Sequence, residues 1–452
     1  MIAIVKLISI LIIVIFLISI YYYGLRKTVF GISLRHSNYF GFFLVFELFF
    51  YLVPGVILLN IFSVENFYAL FKVEQDSVYW ISLIILASFI AIVFLLFVFS
   101  NIFKSVLHIN TFKEIVLSKV EEKRIKRFVK FTIFTCFGLM FIVLITTDAN
   151  HAFIKAITDN VSISIVRIYN KSIGLAKIFN HLFIFIAPLI SIFAASKIYD
   201  GRRFQRIIIF TCALLISTYM GSKGPLMTTI LAYVMSYLVF HNVKISLKYI
   251  AYTLLGGLGL FLLVYYVVTI QYSKIDFTGF LEYLINRIFV AQISGTYEQF
   301  NLFLFDLNYF FHSVPFASSF IDYPIFQKDL MLISENRASG GNIGIKNTFF
   351  IAEAYSFGGW TMVFLSLFIY AFNISITYIW FNKFFNMVIK NKNFTKYIVA
   401  LFLYCTLSLT GGFSDIFFFK LPILMTILFS LITVPFLIVN YFLTRIRINR
   451  KY

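Results

Sequence analysis

Charged residues are scarce in this chain. Lys, Arg, Asp and Glu make up only 13% of the 452 residues, whereas 61% of the residues are hydrophobic and 60 are Phe. A water-soluble domain carries about twice that charged fraction to cover its surface, so a soluble globular fold is excluded. The apolar runs are long and lack the alternation of a membrane β-barrel, so the sequence predicts membrane-spanning α-helices.

Cysteine is also rare, since Cys136, Cys212 and Cys405 are the only three. Each falls inside a predicted span, where a thiol acts as a small apolar side chain, so we expect neither a disulfide framework nor a cysteine metal site. The apolar run of residues 1–20 continues into Tyr21 without a small-residue cleavage site. That run is therefore interpreted as a retained first span rather than a signal peptide.

Apolar runs recur along the whole chain. Because a helix of about 20 residues crosses the hydrocarbon layer, the sequence predicts an all-α polytopic integral membrane protein with about eleven transmembrane helices. We expect a single transmembrane domain over residues 1–452, with a large extracytoplasmic loop, residues 272–347, between the eighth and ninth spans. The predicted spans are residues 2–20, 39–62, 77–102, 129–147, 181–196, 207–220, 225–240, 249–271, 348–380, 397–414 and 421–443.

The net charge of +19 is divided unevenly between the two sides of the predicted membrane. Loops on one side hold 25 basic and 4 acidic residues, and loops on the other side hold 12 basic and 13 acidic residues. Cytoplasmic loops are enriched in Lys and Arg, so the topology predicts an external N-terminus and a cytoplasmic C-terminus. The basic stretch 119–127 is then expected to contact anionic lipid, so membrane lipid rather than nucleic acid is the expected partner.

The external loop 272–347 is the longest polar segment. Its stretches 300–311 and 314–326 are rich in Phe and Tyr, which favour the depth of lipid headgroups. We expect the loop to form a cap that holds polar groups above a cleft open to lipid.

Three basic residues on the predicted external side are candidates for binding an anion. Arg287 offers a guanidinium fork that matches phosphate oxygens, although a salt bridge to Glu282 or a headgroup contact would also explain it. Lys223 lies in the glycine-containing turn 221–225, where a ligand could approach the backbone closely, or where the lysine simply reaches water. Arg337 precedes a glycine-rich segment that could wrap a sugar or a diphosphate.

Glu353 is the most informative acidic residue, because it falls inside the predicted ninth span. A carboxylate there must be paired, protonated or functional. It could act as a general base on a hydroxyl, neutralise Arg287 or Lys223, or form a simple interhelical pair. His312 and Glu298 in the external loop are weaker candidates for proton transfer.

Motifs for a metal or a nucleotide are missing from the sequence. No His, Cys and carboxylate cluster has metal-ligand spacing, and no P-loop, nucleophile elbow or zinc-protease motif occurs in a suitable context. We therefore expect no metal and no cofactor.

Three short segments and the hydropathy pattern carry a family resemblance. The segments are Gly-Ser-Lys-Gly at 221–224, Asn-Arg-Ile-Phe at 286–289 and Ala-Glu-Ala-Tyr-Ser-Phe-Gly at 352–358. Together they resemble bacterial oligosaccharide repeat-unit polymerases, the family that builds O-antigen and capsule. Lys223 stands where members of that family often have arginine.

The resemblance implies a metal-independent glycosyltransferase in the bacterial cytoplasmic membrane, working on its outer face in polysaccharide and lipopolysaccharide biosynthesis. A hydroxyl of one undecaprenyl-diphosphate-linked oligosaccharide would attack the anomeric carbon of another, and a chain-length regulator is a candidate partner. Arg287 and Glu353 would be catalytic. The residues expected to bind substrate are Lys223, Arg337, His312 and Glu298. The alternative is a flippase or transporter of lipid-linked oligosaccharide, which internal repeats and short loops would indicate.

Overall fold

The computed structural model describes most of the chain. The described residues are 2–25, 28, 30–31, 44, 48, 52–67, 72–103, 115–147, 149–158, 163–221, 223–241, 282, 285–314, 317, 320–334, 345–406, 412–417, 431, 434–439 and 441–442. Within these ranges every regular element is helical, which confirms the predicted all-α fold for this part of the chain.

Five described helices are long and apolar enough to cross a membrane. They are Ile4–Leu25, Gln75–Ile102, Lys119–Thr146, Gly174–Ala195 and Phe350–Val388. Three shorter helices coincide with further predicted spans: Arg203–Ser217, Lys223–Phe240 and Lys392–Thr406. The predicted span 249–271 lies outside the described residues, as do most residues of 39–51 and 421–443.

The chain divides into two compact units. The first comprises Met1–Ile102, Val243–Phe372 and Ser408–Phe417. Its helix Ile2–Leu25 packs against Gln75–Ile102, where the hydroxyls of Ser9 and Tyr79 are 2.9 Å apart. Its other described elements are the α-helices Val53–Ile61, Ser294–Leu302, Phe326–Ser334 and Phe413–Ile416, the 3-10 helices Val64–Asn66 and Leu307–Ser313, the π-helix Asn286–Val290, and the beginning of Phe350–Val388.

The helix Phe350–Val388 is broken at Gly359, whose φ of 60° and ψ of −154° are not helical. The rings of Phe350 and Tyr370 stack with centroids 5.3 Å apart, whereas 20 residues of straight helix would span about 30 Å. The chain therefore reverses at Gly359, which leaves a short arm, residues 350–358, and a long arm, residues 360–388. The predicted continuous span 348–380 is wrong in this respect, because Glu353 lies on the short arm, before the break.

The second unit comprises Phe103–Asn242, Asn373–Leu407 and Phe418–Tyr452. Its central helix, Gly174–Ala195, is nearly all buried in its second half and packs most extensively against four neighbouring helices. Phe193 on this helix contacts Phe128, Phe385 and Phe394. The four neighbouring helices are Lys119–Thr146, Arg203–Ser217, Lys223–Phe240 and Lys392–Thr406.

Residues 119–127 and 381–396, which were predicted to lie in cytoplasmic loops, are largely helical. The basic stretch 119–127 forms the first turns of Lys119–Thr146, because Ser118 and Glu121 form a reciprocal capping box at its N-terminus. The predicted loop 381–396 is interrupted only briefly, since one helix continues to Val388 and the next begins at Lys392. The charges in these segments mark helix ends rather than loops.

Candidate functional site

Glu353 and His312 form a hydrogen-bonded pair in the first unit. The Nδ1 atom of His312 is 3.0 Å from Oε1 of Glu353. The Glu353 side chain is completely buried, whereas the His312 side chain is 24% exposed. When Nδ1 carries the proton and donates it to the carboxylate, the imidazole lone pair lies on Nε2. The buried acid can therefore act on a ligand through the histidine.

The second carboxylate oxygen of Glu353 lies against Gly412. Among the described residues, Oε2 of Glu353 has no hydrogen-bond partner. A Cβ atom added at Gly412 would overlap with this oxygen and with Nε2 of Gln327. Position 412 must therefore be glycine for the carboxylate to occupy this place.

The 3-10 helix Leu307–Ser313 holds His312 beside the short arm. Asp306 caps this helix through its Oδ1, which accepts a bond from the Asn308 amide at 2.8 Å. The Asp306 amide in turn donates to the Ser356 carbonyl at 2.8 Å, one turn beyond Glu353. These bonds fix the histidine and the acid relative to each other, although 41 residues separate them in the sequence.

Tyr309 anchors the same 3-10 helix on its other side. Its hydroxyl donates to Oδ2 of Asp329 at 3.1 Å. Burial raises the pKa of the Asp329 carboxyl, and the bond from Tyr309 partly offsets this rise. Burial also raises the pKa of the Tyr309 hydroxyl, with a further contribution from the Asp329 charge. The bond between Tyr309 and Asp329 stabilises the 3-10 helix Leu307–Ser313. Neither residue is a member of the Glu353–His312 pair.

Glu298 is paired with a residue that the sequence analysis did not select. The Nζ atom of Lys346 donates to Oε1 of Glu298 at 2.8 Å, and both side chains are buried. Ser334 Oγ is 3.4 Å from the same Nζ. The pair joins the helix Ser294–Leu302 to residues 345–349, which lead directly into the short arm. The Glu298 carboxylate is therefore held by a buried cation in this protein.

Arg287 lies in the π-helix Asn286–Val290 and is exposed. Short π-helical turns occur frequently at functional sites. Gly55 packs against this turn so closely that a Cβ atom there would be 2.7 Å from the Phe289 carbonyl oxygen. Among the described residues Arg287 forms no salt bridge with Glu282 or with Glu353, which is instead bonded to His312.

A series of hydrogen bonds connects the Arg287 backbone to the chain that precedes Glu353. Gln292 Nε2 donates to the Arg287 carbonyl at 3.0 Å, and Asn347 Nδ2 donates to Gln292 Oε1 at 2.9 Å. The Gly295 amide donates to the Asn347 carbonyl at 3.1 Å. The position of Arg287 is thus tied to residues 345–349 and the start of the short arm.

The structure does not describe the side chains of two candidate basic residues, Arg337 and Lys223. Arg337 and the glycines that follow it lie outside the described residues. The backbone of Lys223 begins the helix Lys223–Phe240, and its side chain is also outside the described part of the structure. The turn residue Gly221 has a φ of 66°, in agreement with the predicted turn.

Lys346, Gln327 and Gly412 contact the candidate site residues but were not predicted from the sequence. Lys346 was visible as a basic residue three positions before an apolar run, and the Gly411-Gly412 pair was visible as a break between two apolar runs. Neither feature indicates which residue is contacted, because each contact joins residues that are far apart in the sequence.

The arrangement provides groups for proton transfer and for anion binding. No group of three or more His, Cys, Asp and Glu residues that could hold a metal ion occurs among the described residues. Cys136, Cys212 and Cys405 are free thiols. The histidine and carboxylate pair can accept a proton from a hydroxyl, and the exposed guanidinium of Arg287 can bind an anion.

No protein-family model matches the sequence, and neither a curated protein nor a solved structure is significantly similar to it. The class that the fold itself defines is a helical protein with several helices able to cross a membrane.

Proposed function

We propose that this protein is a glycosyltransferase of the bacterial cytoplasmic membrane that polymerises undecaprenyl-diphosphate-linked oligosaccharide repeats on the outer face. The observation that carries the proposal is the buried Glu353 carboxylate bonded to the partly exposed His312 imidazole. A pair of this kind is suited to activating a hydroxyl. The apolar helices would let the polyprenyl tails of both substrates remain in the bilayer.

His312 is assigned the direct proton transfer, and Glu353 is assigned the role of holding it. Because Glu353 is completely buried, a substrate hydroxyl cannot reach it without displacing its neighbours. The hydroxyl proton passes to Nε2 of His312 while the hydroxyl oxygen bonds to the anomeric carbon of the second substrate. The imidazolium that forms is stabilised by the Glu353 charge.

Arg287 is assigned to the leaving group. As the bond between the anomeric carbon and the diphosphate oxygen breaks, the electron pair stays on that oxygen and negative charge develops there. A guanidinium can donate two parallel hydrogen bonds to such a group. The side chains of Gln292 and Asn347 connect the backbone carbonyl of Arg287 to residues 345–349, which precede the short arm.

A transporter of lipid-linked oligosaccharide is the second candidate, and the break at Gly359 favours it. Transporters commonly bind substrate where a membrane helix is interrupted. The same carboxylate and imidazole would then serve substrate binding or proton coupling rather than bond formation.

Reconstitution into liposomes separates the two candidates. Fluorescent undecaprenyl-diphosphate-linked oligosaccharides from the native host would be added to purified protein in liposomes. The polymerase predicts a ladder of longer oligosaccharides, with one undecaprenyl diphosphate released for each bond formed. If the oligosaccharides keep their length while the label moves across the bilayer, as measured with an impermeant quencher, the polymerase assignment is wrong and the transporter is supported.

A further inference from the structure

The long arm of the broken helix carries polar side chains on one face in the second unit. They are Ser375, Tyr378, Asn382 and Asn386. At 3.6 residues per turn these positions fall within an arc of about 80° and extend about 16 Å along the helix. We name them the polar stripe.

The oxygen atoms of the polar stripe are buried and lack partners. Among the described residues, Ser375 Oγ, Tyr378 Oη, Asn382 Oδ1 and Asn386 Oδ1 have no hydrogen-bond partner. Ser375 and Tyr378 are completely buried, whereas Asn382 and Asn386 are partly exposed. A buried polar oxygen without a donor is costly, and four on one helix face exceed what a purely structural surface needs.

The rest of this helix segment is packed against apolar neighbours. Phe381 contacts Phe402, and Phe385 contacts Phe193. These phenylalanines lie on the face of the helix next to the polar stripe and are not part of the stripe. Side-chain exposure increases along the stripe, from the buried Ser375 and Tyr378 to the partly exposed Asn382 and Asn386.

We infer that the polar stripe is a binding site for a neutral, hydroxyl-rich ligand, of the chemical class of carbohydrates, which enters from the Asn386 end. Hydroxyl groups supply the donors that these oxygens lack, and the stripe contains no charged residue that would favour an ion. The stripe shares no residue with the Glu353 pair, and the inference does not depend on the proposed reaction.

Thiol labelling tests the inference with defined probes. The native Cys136, Cys212 and Cys405 would be replaced by alanine, and single cysteines introduced as Asn382→Cys, Asn386→Cys and, as a near-isosteric change, Ser375→Cys. Two neutral methanethiosulfonates of similar size would be compared in lipid nanodiscs. One carries a glucosyl group, which has hydroxyl donors, and the other carries an oligo(ethylene glycol) group, which has acceptors only. The rate at which each reagent labels a protein cysteine would be divided by the rate at which it reacts with glutathione.

Met387→Cys is the matched control, because Met387 lies beside Asn386 and is 62% exposed. At Asn382→Cys and Asn386→Cys the glucosyl reagent should react about tenfold faster than the glycol reagent, the ratio that one additional hydrogen bond provides. At Met387→Cys the two rates should be equal. Equal rates at the asparagine positions, or no reaction there with the glucosyl reagent, would overturn the inference. Gel filtration confirms that each variant is folded.

Discussion

Nδ1 of the His312 imidazole lies 3.0 Å from a carboxylate oxygen of Glu353 that no solvent reaches. The histidine is thus the part of the pair that a substrate can contact. We therefore expect loss of the His312 base to abolish activity, and loss of the Glu353 charge to reduce the rate.

Glu353→Gln tests the role of the carboxylate charge. The glutamine can still accept the bond from His312 but cannot stabilise an imidazolium, so we expect the elongation rate to fall by about 100-fold or more. The rate would be measured with lipid-linked oligosaccharide in liposomes. Glu282→Gln, which changes an exposed acid in the same unit, is the control and should retain the wild-type rate.

An unchanged rate in Glu353→Gln would remove the carboxylate from the reaction. His312→Asn gives a second measurement, because its amide can reproduce the Nδ1 donor without a base at the Nε2 position. We expect this variant to remain folded and to be inactive.

Gly412→Ala should displace Glu353. The added methyl group would overlap with Oε2 of Glu353, so we expect a loss of about 1–3 kcal/mol in unfolding free energy, together with lower activity. The control is Gly138→Ala, where nothing lies within 4 Å of the added Cβ. That helical substitution should be neutral or stabilising. Thermal unfolding in detergent measures both, and equal melting temperatures for the two variants would contradict the packing described around Gly412.

Lys346→Met should be strongly destabilising, because it leaves the buried Glu298 carboxylate without its cation. Loss of one partner of a buried ion pair costs about 3–5 kcal/mol. The double variant Lys346→Met with Glu298→Leu removes both charges and should recover most of the melting temperature. If the double variant is no more stable than the single one, the two side chains do not act as a pair.

His151 should contribute a pH-dependent term to stability. Its Nε2 bonds to the Leu215 carbonyl at 2.9 Å, and burial lowers its pKa below the ordinary value of 6.5, partly offset by that carbonyl. A lowered folded-state pKa gives stability that is present above pH 6.5 and is lost as the pH falls below it.

His151→Gln removes this titration while keeping a donor for the Leu215 carbonyl. The melting temperature of the variant should therefore fall less than that of the wild type between neutral and acidic pH. His241, whose pKa is also lowered chiefly by burial, is unchanged in both proteins and cancels in the comparison. Parallel curves would show that His151 does not titrate as proposed.

The helical fold was predictable from composition, whereas the position of Glu353 was not. A long apolar run indicates a helix, but the reversal at Gly359 depends on one backbone conformation that glycine permits. The adjacent Gly358 and Gly359 were a visible sign of a break. The capping box of Ser118 and Glu121 was likewise present in the sequence and marks the helix start that the charge pattern obscured.

The partners within the candidate site could not be derived from the sequence. His312 and Glu298 were selected as polar residues of the external loop, and nothing in their spacing indicated that the first pairs with Glu353 and the second with Lys346. Such pairing depends on tertiary packing around the short arm. Arg337 and the side chain of Lys223 remain predictions, because they lie outside the described residues.

The elongation rate of Arg287 variants is the most direct test of the proposed polymerase. Purified wild-type protein, Arg287→Ala and Arg287→Lys would be compared in liposomes containing lipid-linked oligosaccharide, with the exposed Lys328→Gln as the charge-matched control. We predict that Lys328→Gln elongates like the wild type, and that both Arg287 variants are severely impaired, because lysine lacks the bidentate fork. Elongation by Arg287→Ala at the wild-type rate would contradict the assignment of Arg287 to the departing diphosphate.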